Sequence, residues 1–374
     1  MERQSYRKKI QKVFSDPVRR IYILAGVVFI VGFFLLLWFS FPLVHTWLFR
    51  DIPRGALVMK EEQPHALVCA YRRAVDGVCV KNEQETQERF VAVMIENSID
   101  AWPVSGLSKA SVVYEAPAEA NIPRFLAIYP WSTEVERAGP VRSARPYFID
   151  WAGEYGNPLY VHVGGSPEAM SELEKRRVFH VNEMSQGWYF WRADERHPPH
   201  DTYTSSRLWR RALEKYGERY DASAVLPWVF AVAPACDVSC GATGVTIRFS
   251  NPGYSVDWVY SSSTNQYERF QVDEATPQVD DGGSPIVADT VIVERVHGTV
   301  IDAIGRLRLD TVGEGDAFVF QGGQGMNARW KKGDAASRTM WFDEQGAPLP
   351  INPGKIWIEV ITEDGKITFH SSPS

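Results

Sequence analysis

The sequence predicts an α+β or α/β domain followed by a mostly β domain, both displayed outside a membrane by a single N-terminal transmembrane helix. Three observations predict it. A run from Ile21 to Phe49 contains no Asp, Glu, Lys or Arg. Strand-like and helix-like segments alternate from Phe90 to Tyr216. After Trp228 the chain changes to short β runs separated by Gly-rich turns.

A bilayer core about 30 Å thick needs roughly 20 helical residues, and Ile21 to Phe41 supplies them before Pro42. Residues 1–20 hold seven Lys or Arg against Glu2 and Asp16, a net of +5, which keeps that end cytoplasmic. A cleaved signal peptide has an apolar core of about 7–15 residues ending at a small-residue site. Here the core is longer and is followed by Phe41-Pro42-Leu43-Val44-His45-Thr46-Trp47, with no Cys nearby to carry a lipid. The expected layout is therefore a cytoplasmic tail at 1–20, an uncleaved single-pass anchor at 21–44, a juxtamembrane linker at 45–65 and an extracytoplasmic body.

The whole chain carries a formal charge of −6, so the part beyond the +5 tail is at −11, which argues against nucleic acid as a partner. The four cysteines form two close pairs, Cys69 with Cys79 and Cys236 with Cys240. Neither pair has zinc-ribbon spacing, and local disulfides are the simplest of three connectivities in an oxidising compartment. No metal and no cofactor is expected.

In the body, residues 66–222 read as the α/β domain. Phe90 to Ile95, Ser111 to Tyr114, Arg124 to Tyr129 and Leu159 to Val163 are apolar runs of strand length. Pro146 to Tyr155 is helical in pattern, Ser166-Pro167-Glu168 opens a second helix, and Ser205 to Tyr216 is a third with one apolar face. Residues 223–374 read as β-rich, with strands at Val245 to Phe249, Val256 to Tyr260, Tyr267 to Val272, Thr290 to Val296, Arg306 to Asp310 and Ala317 to Phe320. Ile356 to Ile361, Asp364-Gly365 and Ile367 to His370 predict a closing hairpin.

Four groups could carry chemistry. Arg142, Ser143 and Arg145 precede a helix start, where amides, dipole and guanidinium favour an anion; alternatively they pair with Glu115, Glu119 or Asp150. Glu115 and Glu119, with Arg124, sit at a strand end and could act as acid and base on a glycosidic bond, or simply form salt bridges. Tyr160-Val161-His162-Val163-Gly164-Gly165-Ser166 runs from strand through Gly-Gly to a helix cap, a common ligand position in open α/β sheets, without nucleotide-binding spacing. Trp188 to Arg192, then His197-Pro198-Pro199-His200-Asp201, place Trp191, Arg192 and His200 in an aromatic and basic surface suited to sugar or peptide. Asp150 or His162 could assist a Glu.

Several strings resemble one known family. Val91-Ala92-Val93-Met94-Ile95-Glu96-Asn97, Val113-Tyr114-Glu115, Gly139-Pro140-Val141-Arg142-Ser143-Ala144-Arg145-Pro146-Tyr147-Phe148, Tyr160 to Pro167, and Pro199-His200 with Tyr203-Thr204-Ser205 are similar to the YerB-type bacterial lipoproteins. The likeness runs over about residues 66–370 and implies a bacterial, extracytoplasmic, membrane-tethered two-domain protein, with no reaction attached. The chain departs from the family in its helix anchor and in Asp201 after Pro199-His200. It also has Glu119-Ala120-Asn121 where the family has Glu-Gly-Gly, which predicts a stiffer loop.

Two functional expectations follow. The first is an envelope assembly factor that binds an anionic or glycan wall polymer, or an envelope protein, through Arg124, Arg142, Ser143, Arg145, Gly164, Gly165, Trp191, Arg192 and His200. The second is a glycan-cleaving or glycan-modifying enzyme built on Glu115, Glu119, Asp150 and His162.

Overall fold

The computed structural model describes residues 69–217, 225–236, 241, 243–271 and 274–370, with 17–18, 21, 25, 29 and 31–33 near the start. The anchor expected at 21–44 falls almost wholly outside the described residues, and among those described no helix is long and apolar enough to cross a membrane. Residues 69–374 form one compact unit.

In chain order the strands of the first half are β1 (Tyr71–Arg72), β2 (Cys79–Val80), β3 (Phe90–Glu96), β4 (Val112–Pro117), β5 (Pro123–Pro130), β6 (Leu159–His162), β7 (His180–Asn182), β8 (Trp191–Arg192) and β9 (Thr202–Tyr203). Its α-helices are α1 (Pro146–Gly153), α2 (Pro167–Lys175), α3 (Glu183–Gln186) and α4 (Ser206–Tyr216). The described second half adds strands and no α-helix: β10 (Gly244–Arg248), β11 (Val256–Ser261), β12 (Gln266–Gln271), β13 (Val287–Ala288), β14 (Thr290–Arg295), β15 (Gly298–Val300), β16 (Leu307–Leu309), β17 (Gly313–Gln321), β18 (Gln324–Lys332), β19 (Met340–Phe342), β20 (Ile356–Ile361) and β21 (Lys366–His370).

A ten-stranded sheet in the order β19-β18-β17-β14-β20-β4-β5-β3-β6-β7 organises the body. It is continuous across the two sequence halves, because β20 pairs in parallel with β4, Trp357 opposite Val113 and Glu359 opposite Glu115. Side chains alternate between its faces. Val91, Val93, Ile95, Val113, Phe125 and Trp357 face a core shared with the five-stranded sheet β13-β12-β11-β10-β21, which supplies Val245, Ile247 and Trp258. Ala92, Met94, Tyr114, Leu126 and Tyr160 face the opposite core, roofed by Tyr147, Phe148 and Trp151 of α1 and Ala169 and Leu173 of α2. Burial on both faces explains why β3 reads as an unbroken apolar run.

The closing hairpin is corrected. β20 joins the ten-stranded sheet while β21 pairs with β10 in the other sheet, so the Asp364-Gly365 turn carries the chain from one layer to the next. The physical reason is burial. β20 is buried at all six positions and needs cover on both faces, whereas β21 has no buried position.

Cys69 and Cys79 form a disulfide that staples β1 to β2. Cys236 is disulfide-bonded as well, while Cys240 lies outside the described residues.

Candidate functional site

The carboxyl ends of β3, β4, β6 and β7 lie along one edge of the sheet, where β5 enters antiparallel. β3 and β6 pair at Val91 to Val93 and then separate. In open α/β sheets such a parting makes a ligand crevice. Here the Gly139–Arg145 segment fills it. Arg142 donates its N–H to the Met94 carbonyl (2.9 Å) and accepts from Val163 N–H (3.0 Å), and Ala144 N–H bonds the Gly164 carbonyl (3.0 Å). Pro146, with its fixed φ and no donor, then starts α1.

This plug positions two arginine–carboxylate clusters. Glu119 accepts from Arg124 (2.7 Å) and from Arg145, and Arg124 also bonds the Ser143 carbonyl. Burial opposes ionisation of Glu119, but the two arginines outweigh it and hold its carboxyl below the usual range. Glu96 accepts from Arg142 and from His200 Nδ1 (2.9 Å), and Arg142 also holds the Pro199 carbonyl (2.9 Å). The arginines thus pair internally, with Glu119 and Glu96 rather than with Glu115 or Asp150.

The Glu119 loop has a defined strain. Ala120 and Asn121 both adopt left-handed backbone, φ 54° and 56°, a conformation glycine takes without the Cβ clash. The Ala-Asn pair thus adopts the backbone that a Gly-Gly would take more cheaply.

Glu115 is sealed in the interior. Both its oxygens accept from Arg269 Nη2 (2.9 and 2.7 Å), one also accepts from Asn97 (2.8 Å), and neither ion is exposed. Glu359, which accepts from Trp258 Nε1 (2.8 Å), stands beside it. Burial, then the Glu115 charge, pushes the Glu359 carboxyl well up, while burial raises the Glu115 carboxyl against the opposing pull of Arg269. No substrate reaches Glu115, which removes it as an acid or base.

His162 is also enclosed, with Nδ1 against the Gly164 carbonyl (2.6 Å) and Nε2 against His180 Nδ1 (3.0 Å). Burial lowers its pKa to about 3, so it is a neutral link between β6 and β7 at the sheet edge rather than a base near neutrality. Gly164 spends its amide on Asn182 Oδ1 (2.8 Å), and a Cβ on Gly165 would crowd Met170 and Ala144; these glycines serve packing. Ser166 caps α2 through Ala169 N–H. Arg192 pairs with Asp201 (2.7 Å) and Glu183 (2.9 Å), while Trp191 stacks on Tyr203 and stays partly exposed.

Arg145 and Asp150 alone among the sequence candidates line a cleft of about 630 Å³. Pro146, Tyr147 and Asp150 of α1 and Ser166, Glu168, Glu172 and Arg176 at α2 form one side; Ile301 and the run Arg306–Val312 form the other. Asp150 accepts from Arg176 (2.6 Å) and from Thr311 Oγ (2.7 Å), tying the two walls together. The second wall was missed from sequence. Its signal was Arg306-Leu307-Arg308-Leu309-Asp310, charged at every second position, which reads as an ordinary half-buried strand.

The family described as protein of unknown function DUF3048 matches in two parts, its N-terminal domain over residues 76–219 and its C-terminal domain over 245–358. The chain belongs to this family. A member from Bacillus subtilis (strain 168), named "Putative lipoprotein YerB", is 34% identical over 288 residues, which are 76% of this chain and 85% of that protein. The crystal structure of the Bacillus subtilis YerB protein superposes with a TM-score of 0.69 at 30% identity, covering 79% of this chain and 99% of that one. In this member the two family domains share the ten-stranded sheet, and the cleft lies where segments of both meet.

Proposed function

We propose that this chain is a membrane-held, extracytoplasmic binding protein that takes an anionic segment of an envelope polymer into the cleft between α1–α2 and the Arg306–Val312 run, in an assembly rather than a catalytic role. One observation carries the reading: a cleft of about 630 Å³ whose walls come from both family domains and present Arg145, Arg306 and Arg308 beside Tyr147 and exposed Ile301 and Val312. Its volume falls in the range of ligand sites, about 300–1,000 Å³. Glu168, Glu172 and Asp150 also line it, each already paired with Arg306 or Arg176, and exposed Asp310 lines it two residues beyond Arg308. Arg308 is exposed, and its side chain has no hydrogen-bond or ion-pair partner among the described residues. The lipoprotein name of the Bacillus relative and the Cys69–Cys79 disulfide support an extracytoplasmic setting.

The test uses the full-length chain in mild detergent, titrated with solubilised anionic and neutral envelope polymers. Binding of the anionic polymer is expected, weakened by Arg308→Glu and by Ile301→Asp, both at exposed positions. Affinity unchanged in both variants would place the ligand elsewhere and end this reading.

A further inference from the structure

The cleft is lined by a strand edge whose main-chain groups are unpaired, and this decides what kind of polymer fits. β15 and β16 form a two-stranded sheet that neither large sheet extends. Its register is Gly298 opposite Leu309, Thr299 opposite Arg308 and Val300 opposite Leu307. Just outside the ladder, Ile301 N–H bonds the Arg306 carbonyl (2.8 Å) and Asp310 N–H bonds the His297 carbonyl (2.9 Å). Hydrogen-bonded and non-hydrogen-bonded pairs alternate in an antiparallel ladder. Arg306, Arg308 and Asp310 therefore spend their main-chain groups on β15. The N–H and C=O groups of Leu307 and Leu309 point the other way, and no described residue bonds them. Both leucines line the cleft and are only 6% and 5% exposed.

Unpaired backbone groups along a largely buried edge are costly, and they match the spacing of another extended chain. Resting on the binding function proposed above, we infer that the ligand is an extended polypeptide that adds to β16 as a third strand. Arg306 to Asp310 line the cleft in ladder register over about 14 Å at about 3.4 Å per residue, room for a strand of about five residues.

The side-chain pattern of the guest follows. Leu307 and Leu309 turn inward to the core that includes Tyr147, while Arg308 between them is exposed. Guest residues opposite the leucines face the Pro146–Tyr147 floor and are apolar. The residue opposite Arg308 shares its exposed face. It also forms a non-hydrogen-bonded pair, where Cα atoms approach to about 4.5 Å, and is an Asp or Glu. The motif is apolar–acidic–apolar. Exposed Ile301 and Val312, at 44% and 46%, offer further apolar cover next to the edge.

The experiment takes the full-length chain in detergent and a seven-residue peptide of alternating valine and glutamate, blocked at both ends. Amide hydrogen exchange at Leu307 and Leu309 should slow at least tenfold on binding. A cross-strand ion pair is worth up to about 1 kcal/mol, so Arg308→Ala should weaken binding about fivefold. Arg308→Glu should prefer a valine–lysine peptide. N-methylation of alternate peptide amides, in the register that faces β16, should abolish binding. Equal binding of the peptides methylated in either register, or a bound peptide with no protection at Leu307 and Leu309, overturns strand addition. An anionic glycan or phosphate polymer that occupies the cleft while the peptide does not also overturns it, and leaves the binding function standing. If neither occupies the cleft, both fall.

Discussion

Glu294 offers a direct test of the interior electrostatics. It lies on β14 in the core between the ten-stranded sheet and its helical cover, where Trp341 Nε1 donates to it (2.8 Å). Burial pushes its pKa from 4.5 to about 8; the Trp341 bond opposes this, and the Glu154 charge adds to it. In the folded state the group is neutral up to about pH 8, whereas in the unfolded chain it ionises above pH 4.5. The folded state thus binds more protons across that window, and stability falls as pH rises through it. At about 1.4 kcal/mol per pH unit, the loss between pH 4.5 and 7 is of order 3 kcal/mol.

Glu294→Gln keeps an acceptor for Trp341 and removes the titration. Any cost of seating the extra amide protons is the same at both pH values and cancels. Urea unfolding of wild type and variant at pH 4.5 and pH 7 gives four free energies. The variant should gain about 3 kcal/mol on wild type between the lower and the higher pH. Parallel behaviour of the two proteins would show that Glu294 ionises normally, and the reasoning from burial would be wrong.

Four further outcomes are expected. Arg269→Met strands the buried Glu115 charge and should cost about 3–5 kcal/mol in urea unfolding, most of it recovered in the double variant with Glu115→Gln; a loss under about 1 kcal/mol refutes the pairing. The imidazole of His162 should stay neutral in a nitrogen NMR titration down to pH 5, since it protonates only near pH 3 in the fold. Because the unfolded chain takes that proton below about pH 6.5, stability should fall as pH drops from there, and His162→Phe should flatten the decline. Glu119→Gln should cost about 1–3 kcal/mol at pH 7 and progressively less as the wild-type carboxylate protonates, because its lowered pKa stabilises the fold only while it is ionised. Ala120→Gly should stabilise by about 0.5–1 kcal/mol, the left-handed penalty less the entropy of the added glycine, read as a shifted urea midpoint.

The strands and helices with strong patterns were legible in the sequence because their burial is local in origin. β3 announces itself as seven residues buried on both faces, α2 through its Ser166-Pro167 cap, and β17 in part through its Ala317 to Phe320 run. The partnership of β20 with β4 was not legible, because its pairing spans more than 240 residues and no local signal selects among buried strands. The same limit applies to the site. The Gly139–Arg145 string stood out by composition, and its residues do lie at the sheet edge, but composition does not say that the segment fills its own crevice and turns its arginines onto Glu96 and Glu119. Glu115 was chosen for being a carboxylate at a strand end; its partner Arg269 lies 154 residues away on the covering sheet.

The cleft shows most clearly why function was harder to read than fold. A binding residue chosen from sequence is chosen for its side chain, yet the most specific feature here is main chain. Leu307 and Leu309 would pass in any sequence as buried leucines of a short strand, and as side chains they are only that. Their significance lies in which side of β16 is already paired. That depends on a register set by Ile301 and His297 and on the absence, among the described residues, of a strand paired to the other edge of β16. Arg308 alone is ambiguous too, one exposed arginine among several. Placed between two inward leucines on an unpaired edge, it specifies a side-chain pattern for a guest strand, and the guest's own amides supply the test.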